Sequence, residues 1–464
     1  MSLSYLLADD HTTMLNIIEK ILCHFESCFS RKAAFRWFVI IITGLMLRSD
    51  KLGVTSILRD LALAPGCYDS MLHFFRASSW SLEDIRKRWF SAVRLYAPLY
   101  KEGNFHVLVG DGVKQSKEGR RMPGVKKLFQ ESENSAKPEY MHGHMFGGLG
   151  ILAGNFRSWA CIPLSIRLHD GLQAAREWKG ASVSTASHVV QMVEDSYHAA
   201  LTFGDSLLLL DRYFLTVPAL EKLRELNNSG KVHMEIVTKA KKSCTAFQKP
   251  GPRKPGRGRP PKKGDAVHLK GLFASHKEQF METETELYGK KKTIRYYSID
   301  LLWGQKLYQE LRFVLVEMDG IQSILASTSL ALDPLSIIRL YSYRFRIECT
   351  FRELKQQTGA FCYHFWSKHM PKLSYYQKKG EPTPLERVED ERSRKKILKT
   401  VRAIEVHMEL SCIAMGILQT LSIRFIGKVC SSQIRYQRTP SKGRVSEAAF
   451  MHYVVVKLFC NTCG

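Results

Sequence analysis

The chain lacks an apolar run long enough to cross a bilayer. The longest, Trp37 to Leu47, falls short of the roughly 20 residues a spanning helix needs, and it lies too far in for a secretory signal. It reads as a buried helix. Paired cysteine motifs are missing as well. The eleven cysteines are scattered, and Cys460-Asn-Thr-Cys463 is a lone CxxC with no partner pair, read as free thiols rather than a zinc or redox site. His142-Gly-His144 is likewise a lone pair, read as structural. Acids are scarce: 44 Asp+Glu stand against 69 Lys+Arg, leaving a formal charge of +25. Such a balance attracts a polyanion from a distance and binds it in a salt-dependent way, without choosing between DNA, RNA and a membrane surface. At 464 residues with 45% hydrophobic side chains, the chain is expected to be soluble and globular, with two or three domains.

What is present is concentrated in Tyr341-Ser-Tyr-Arg344-Phe-Arg-Ile-Glu348-Cys-Thr-Phe-Arg-Glu-Leu-Lys355. At about 100° per residue, Tyr341, Arg344, Glu348 and Lys355 fall within an arc of roughly 60°. Leu340, Ile347, Phe351 and Leu354 make the neighbouring stripe. Asp333-Pro334 supplies an N-cap and a proline at the first helical position, so one helix is expected from there to about Gly359. A carboxylate held between cations suits a metal-and-phosphate site; a surface helix with i,i+4 ion pairs also fits the spacing.

Two further acids end apolar strands. His106-Val-Leu-Val-Gly-Asp111-Gly places a carboxylate at an open strand end. Ser206-Leu-Leu-Leu-Leu-Asp211-Arg-Tyr-Phe214 repeats the pattern, since four consecutive leucines make a fully buried strand from which the next residue must emerge. Either Asp alone would also serve as a strand-end cap or turn.

The spacing Tyr-x2-Arg-x3-Glu-x6-Lys, with the Asp-Gly and Asp-x-x-Phe motifs, resembles the bacterial insertion-sequence transposases of the DDE type that carry the Tyr-Arg-Glu-Lys (YREK) signature and work by cut-and-paste. The segment from Lys114 to His144, with Ser132-Glu-Asn-Ser and Lys137-Pro-Glu-Tyr140, has the same look. The resemblance implies an α/β fold with a ribonuclease-H-like core and a β-rich insertion, flanked by helical N- and C-terminal regions. It implies Asp111, Asp211 and Glu348 as the catalytic, metal-binding triad. Tyr341, Arg344, Lys355 and Lys114 would contact DNA at the transposon end. Phosphodiester cleavage needs an activated nucleophile and a stabilised leaving oxygen, and two divalent ions roughly 4 Å apart do both. Hard Mg²⁺ or Mn²⁺ prefers oxygen ligands, so carboxylates suffice. Hydrolysis would expose a 3′-hydroxyl that then attacks target DNA.

Helical spacing recurs through the first hundred residues, at Thr13 to Phe29, Arg36 to Leu47, Val54 to Ala64, Ser70 to Arg76 and Leu82 to Leu95, the last with a cap-like start at Ser81. Strands are expected at Phe105 to Gly110, His144 to Leu152 and Trp159 to Arg167. A helix from Ser184 to Ala200, a strand at Leu207 to Leu210, a helix from Val217 to Leu226 and a strand at Val232 to Val237 follow. Gly147-Gly-Leu-Gly150 lies inside a strand and is no dinucleotide fingerprint. The expected organisation is 1–100 helical and DNA-binding, 101–240 the first part of the core, 241–328 a basic and β-rich insertion, 329–365 the second part of the core, and 366–464 helical with possible dimerisation.

Residues 239 to 263 carry ten Lys or Arg and no acid. Arg253, Arg257, Arg259, Lys262 and Lys263 surround an Arg-Gly-Arg-Pro core of the kind that lies in a narrow minor groove, or else form a solvated linker. Strand-like alternation returns at Tyr296 to Leu302 and Leu311 to Ser327. Trp303 would either stack on a flipped base or pack in a core. Glu389 to Leu421 reads as one or two helices whose charged start is a solvated face. The function expected is a cytoplasmic, nucleoid-associated bacterial DNA transposase acting on terminal inverted repeats and target DNA, as a homodimer in a synaptic complex and with no membrane partner. The alternative is a transposase-derived repressor or architectural protein that does not cleave.

Overall fold

The computed structural model describes residues 3–425 and 453, apart from 49, 51–52, 131–137, 156–157, 179–186, 252–259 and 377–380. Arg253, Arg257 and Arg259, the segment 132–135, Lys137 and the Cys460–Cys463 pair therefore lie outside the described residues. The fold is mixed α/β, as expected. The chain divides into two compact units: Met1–Tyr100, Gly112–His188 and Ile347–Gly464 form the first, Lys101–Asp111 and Val189–Arg346 the second.

In the second unit, the first half of strand Phe105–Ser116 runs parallel to Ser206–Leu209, which runs parallel to Met234–Lys239. Leu207, Leu208, Leu209 and Leu210 are fully buried, which is why an unbroken leucine run forms a central strand rather than an alternating one. Helices His188–Phe203 and Val217–Asn227 make the crossovers that parallel strands require. Thr216 caps the second, accepting a hydrogen bond from the Ala219 N–H. Beyond Met234–Lys239 the pairing turns antiparallel, through Ile321–Ser327, Gln309–Met318 and Lys290–Trp303. Met281–Leu287 pairs with one end of Lys290–Trp303 and Thr245–Phe247 with the other.

The single alternating stretch expected at Leu311 to Ser327 is in fact a hairpin. It turns at Asp319 and Gly320, with φ of 50° and 76°. Asp-Gly is the strongest two-residue hairpin signal because both turn positions need positive φ.

In the first unit, the N-terminal region forms helices Leu3–Cys23, Lys32–Leu47, Thr55–Asp60, Cys67–Arg76 and Leu82–Tyr96. Ser81 caps Leu82–Tyr96 by accepting from the Asp84 N–H at 3.2 Å. Among the described residues of the C-terminal part, the helix Glu391–Phe425 runs for 35 residues. Contrary to the expectation that no stretch is long enough, this helix is long and apolar enough to cross a membrane, because small and polar residues interrupt its apolar run without breaking the helix; its apolar stretch is wholly buried within the protein. It packs on strand Ser158–Leu168 and on helices Lys32–Leu47 and Cys67–Arg76. Trp89 fixes the contact, donating from Nε1 to the Pro163 carbonyl at 2.9 Å while its ring lies over Gly416.

The signature segment departs from expectation. Instead of one helix to Gly359 there are two, Pro334–Tyr343 and Arg346–Gln356, separated by a turn at Arg344-Phe345. The Arg344 N–H bonds the Tyr341 carbonyl at 3.2 Å, three residues back, so the first helix tightens and stops. The common arc computed for a continuous helix therefore does not hold across the break. The expected start is correct: Asp333 accepts from the N–H groups of Leu335 at 2.9 Å and Ser336 at 3.1 Å.

Candidate active site

Asp111 and Asp211 follow the paired stretches of two neighbouring parallel strands. His106 pairs with Ser206, and the register runs to Val109 with Leu209. The second strand stops there, two residues short of Asp211, whereas the first runs on to Ser116. Asp111 therefore lies inside a 12-residue strand and not at the open strand end expected from the sequence, because the backbone stays extended through Gly112. Burial ends at these positions: Gly110 is buried and Asp111 half-exposed, and Leu210 is buried and Asp211 half-exposed.

Local packing explains both motifs. A Cβ on Gly112 would meet the Met145 methyl at 2.7 Å and His188 at 2.9 Å, so only glycine follows Asp111 without displacement. After Asp211 the chain makes a 3-10 turn, Arg212–Phe214. Asp211 Oδ1 accepts from the Arg212 N–H at 2.7 Å, and Phe214 anchors the turn at 2% exposure. Thr238 donates to the Asp211 carbonyl at 2.9 Å, tying the turn to the next strand.

Cations surround this pair within the second unit. Arg344 NH1 binds Asp111 Oδ2 at 3.0 Å, with side-chain exposures of 14% and 20%. Tyr341 neighbours Asp211 and Arg344; burial raises its hydroxyl pKa well above the usual range, and the Arg344 charge and hydrogen bond oppose the shift. The hydroxyl is thus a donor throughout the physiological range.

Two neighbours were not singled out from the sequence. Lys239 ends the third parallel strand, and Asp211 is among its charged neighbours. Burial lowers its pKa, as does the nearby Arg212, while Asp211 pulls the other way. Tyr288, at a hairpin turn with φ of 55°, neighbours Arg344 and packs its ring 5.9 Å from Phe345.

The first unit holds Glu348, Lys355 and Lys114. Glu348 is exposed on helix Arg346–Gln356, whose other face is fixed. Phe351 lies directly against Gly148, where a Cβ would come within 2.5 Å of the ring. Thr350 donates to the Cys161 carbonyl at 2.6 Å and accepts from Gln419 at 3.3 Å. The glycine run 147–150 thus serves close approach of neighbouring side chains and backbone. Lys355 is exposed, its ammonium 5.4 Å from the Phe361 ring centre. Lys114 donates to the Phe129 carbonyl at 2.8 Å. His144 is buried between Tyr363, at 2.6 Å, and the Pro123 carbonyl, at 2.9 Å. Burial lowers its pKa to about 3, so it is a neutral core histidine.

Among the described residues no group of three or more His, Cys, Asp or Glu is assembled for a metal ion. The remaining candidates are dispersed. Trp303 packs against the core formed by Leu301, Phe313 and Leu315, beside the Cys244 thiol. Lys263 lies over the Phe247 ring at 3.7 Å, and Lys262 is exposed.

Carboxylates beside guanidinium and ammonium groups are equipment that suits chemistry on phosphate esters. The family described as DDE superfamily endonuclease matches residues 24–297, more than half of the chain, and the chain belongs to it. That match takes in Asp111 and Asp211 and ends before Glu348. No curated protein matches the chain. Membership gives DNA as the substrate class and divalent metals as the family's usual cofactor.

Proposed function

We propose that the protein is a DNA transposase of the YREK class, acting by cut-and-paste, with Asp111, Asp211 and Glu348 as its catalytic acids. The observation that supports this reading is the set of neighbours the two aspartates share: Arg344 pairs with Asp111 at 3.0 Å, and Tyr341 neighbours both Arg344 and Asp211. Strand order and the two crossover helices are compatible with a ribonuclease-H-like core. The donor chemistry suits Mg²⁺ or Mn²⁺: both side chains offer hard carboxylate oxygens, and Asp111 already holds a cationic group, the Arg344 guanidinium, at 3.0 Å. Two such ions, when bound, would activate a water or 3′-hydroxyl and stabilise the leaving oxygen.

The chain's own residues do the rest. Asp111 and Asp211 hold positive charge. Arg344, whose planar fork suits a phosphate bidentately, passes between Asp111 and the scissile strand. Tyr341 donates to a phosphate oxygen, and Lys239 and Lys355 contribute point charges. The helical N-terminal region would bind terminal inverted repeats, the basic insertion would add backbone contacts, and the C-terminal region would pair two copies in a synaptic complex at the bacterial nucleoid.

Asp111→Asn, Asp211→Asn and Glu348→Gln should each abolish Mg²⁺-dependent nicking of a supercoiled plasmid carrying the DNA that flanks the gene, while gel-shift binding persists. A variant that still nicks at close to the wild-type rate removes that residue from the triad. Nicking that survives in all three refutes this triad, and a wild type that binds the DNA but does not nick it returns the protein to a non-catalytic DNA-binding role.

A further inference from the structure

A second basic site lies in the first unit, on residues the proposed chemistry does not use. A cleft of about 800 Å³ opens between the end of helix Cys67–Arg76, the segment 363–369 and the first turns of helix Glu391–Phe425. Its lining among the described residues includes Arg31, Arg76, Lys368, Lys396 and Lys399, and no aspartate or glutamate. Among the described residues none of these five side chains has an ion-pair partner, and Arg76 Nε is shielded from solvent without a hydrogen bond. Lys396 and Lys399 sit one turn apart, so the charged start of the long helix is, in part, the wall of this cleft. Trp366 stands at the same place with 58% of its surface exposed, whereas Trp80 and Trp89 are buried.

Like charges concentrated around a concavity repel one another and destabilise the fold unless an anion joins them. An exposed indole beside them adds a flat apolar face. A cationic groove with an aromatic platform is the arrangement that holds single-stranded nucleic acid, with phosphates on the cations and a base on the ring. The concavity is of the size that encloses small ligands, so it admits one strand rather than a duplex.

We propose that this cleft binds a single-stranded stretch of DNA, its phosphates on Arg31, Arg76, Lys396 and Lys399 and one base against Trp366. The choice of DNA as the polyanion rests on the reading of the protein as a DNA-processing enzyme. The cleft would hold a strand that has left the duplex.

The test uses the full chain with a labelled oligothymidylate and a labelled duplex of equal length, across a salt series. Changing Arg31, Arg76, Lys396 and Lys399 together to Gln should flatten the log affinity against log salt plot for the oligothymidylate by about 0.7 per lost contact. Trp366→Ala should weaken oligothymidylate binding by about 5- to 150-fold, the equivalent of one base stack, with little change for the duplex. Trp366→Phe should retain most of the affinity, which a loss through misfolding would not. An unchanged salt slope overturns the proposal. So does a Trp366→Ala variant that binds both probes as the wild type does, or that loses both equally. Metal-dependent plasmid nicking is read in parallel. Wild-type protein that fails to nick but shows the expected binding pattern refutes the transposase reading and upholds the cleft. Normal nicking without that pattern does the reverse.

Discussion

Glu409 and Arg86 meet in the interior of the first unit, and they set burial against charge pairing. Arg86 Nε lies 2.9 Å from Glu409 Oε2, with side-chain exposures of 5% and 0%. Burial pushes the Glu409 carboxyl up to about 7, against the pull of Arg86. On the arginine, burial works toward a lower pKa, but Glu409, Glu405 and Glu83 together raise it. The two partners thus give opposite impressions of the pair. Burial should win at Glu409, because its Oε1 has no hydrogen-bond partner, and because Arg86 keeps Glu83 at 3.1 Å and the nearby Glu405 when Glu409 is neutral.

The consequence is a pH dependence of known sign. A carboxyl whose folded pKa lies above its usual 4.5 keeps a proton that the unfolded chain has released, so stability falls as pH rises from about 4.5 to about 7. At 1.36 kcal/mol per unit, the swing is about 3 kcal/mol. Glu409→Gln fixes the neutral form. It should match the wild type within about 1 kcal/mol at the acid end of the window. Near neutrality it should be more stable by up to about 3 kcal/mol, in line with the gains seen when buried charges are replaced. Urea midpoints across the window measure this. A uniform loss of about 3–5 kcal/mol at every pH would show that the ion pair dominates and would refute the reasoning.

Two further outcomes follow from buried groups in the same unit. Burial lowers the Lys117 ammonium to about 8, while it donates to the Phe361 and Tyr363 carbonyls. Between about 8 and its usual 10.5 the unfolded chain holds a proton that the folded one has lost, so stability should rise with pH through that window. Lys117→Met should remove the rise in a Tm against pH series. Gly416→Ala should lower stability by about 1–3 kcal/mol in urea, since the new Cβ would lie 2.2 Å from the Trp89 ring; a neutral effect would mean that the long helix is not held in place at that contact.

Much of this was legible in the residues because single-residue chemistry fixes local structure. Ser81 and Asp333 cap the helices they were expected to cap, and the leucine run before Asp211 is a buried central strand. The break after Tyr343 was not legible. Helical periodicity continues across Arg344-Phe345, and no glycine or proline marks the turn; it belongs to the passage of the chain from one unit to the other at Arg346. Lys239 was missed for a different reason. It sits in a run rich in lysine and arginine, where composition hides position, and only its place at the end of Met234–Lys239, with Asp211 among its charged neighbours, singles it out. The continuation of the strand from Phe105 through Asp111 to Ser116 was not legible either, since Gly110 and Gly112 read as its end; and the neighbours of the two aspartates, Arg344 and Tyr341, are brought to them by the fold and not by nearness in sequence.

Gly148 carries a lesson for tracing descent and decay in such genes. It has no reactive group, yet the ring of Phe351 rests where its side chain would be, one helical turn from Glu348. A methyl there must lift or tilt the helix, and reacting groups misplaced by about 1 Å lose orders of magnitude in rate. A copy of this gene could therefore keep every acid and be silent. Surveys that score inactivation by the three proposed carboxylates alone would count it as competent, whereas a lesion at this glycine would mark it as a relic.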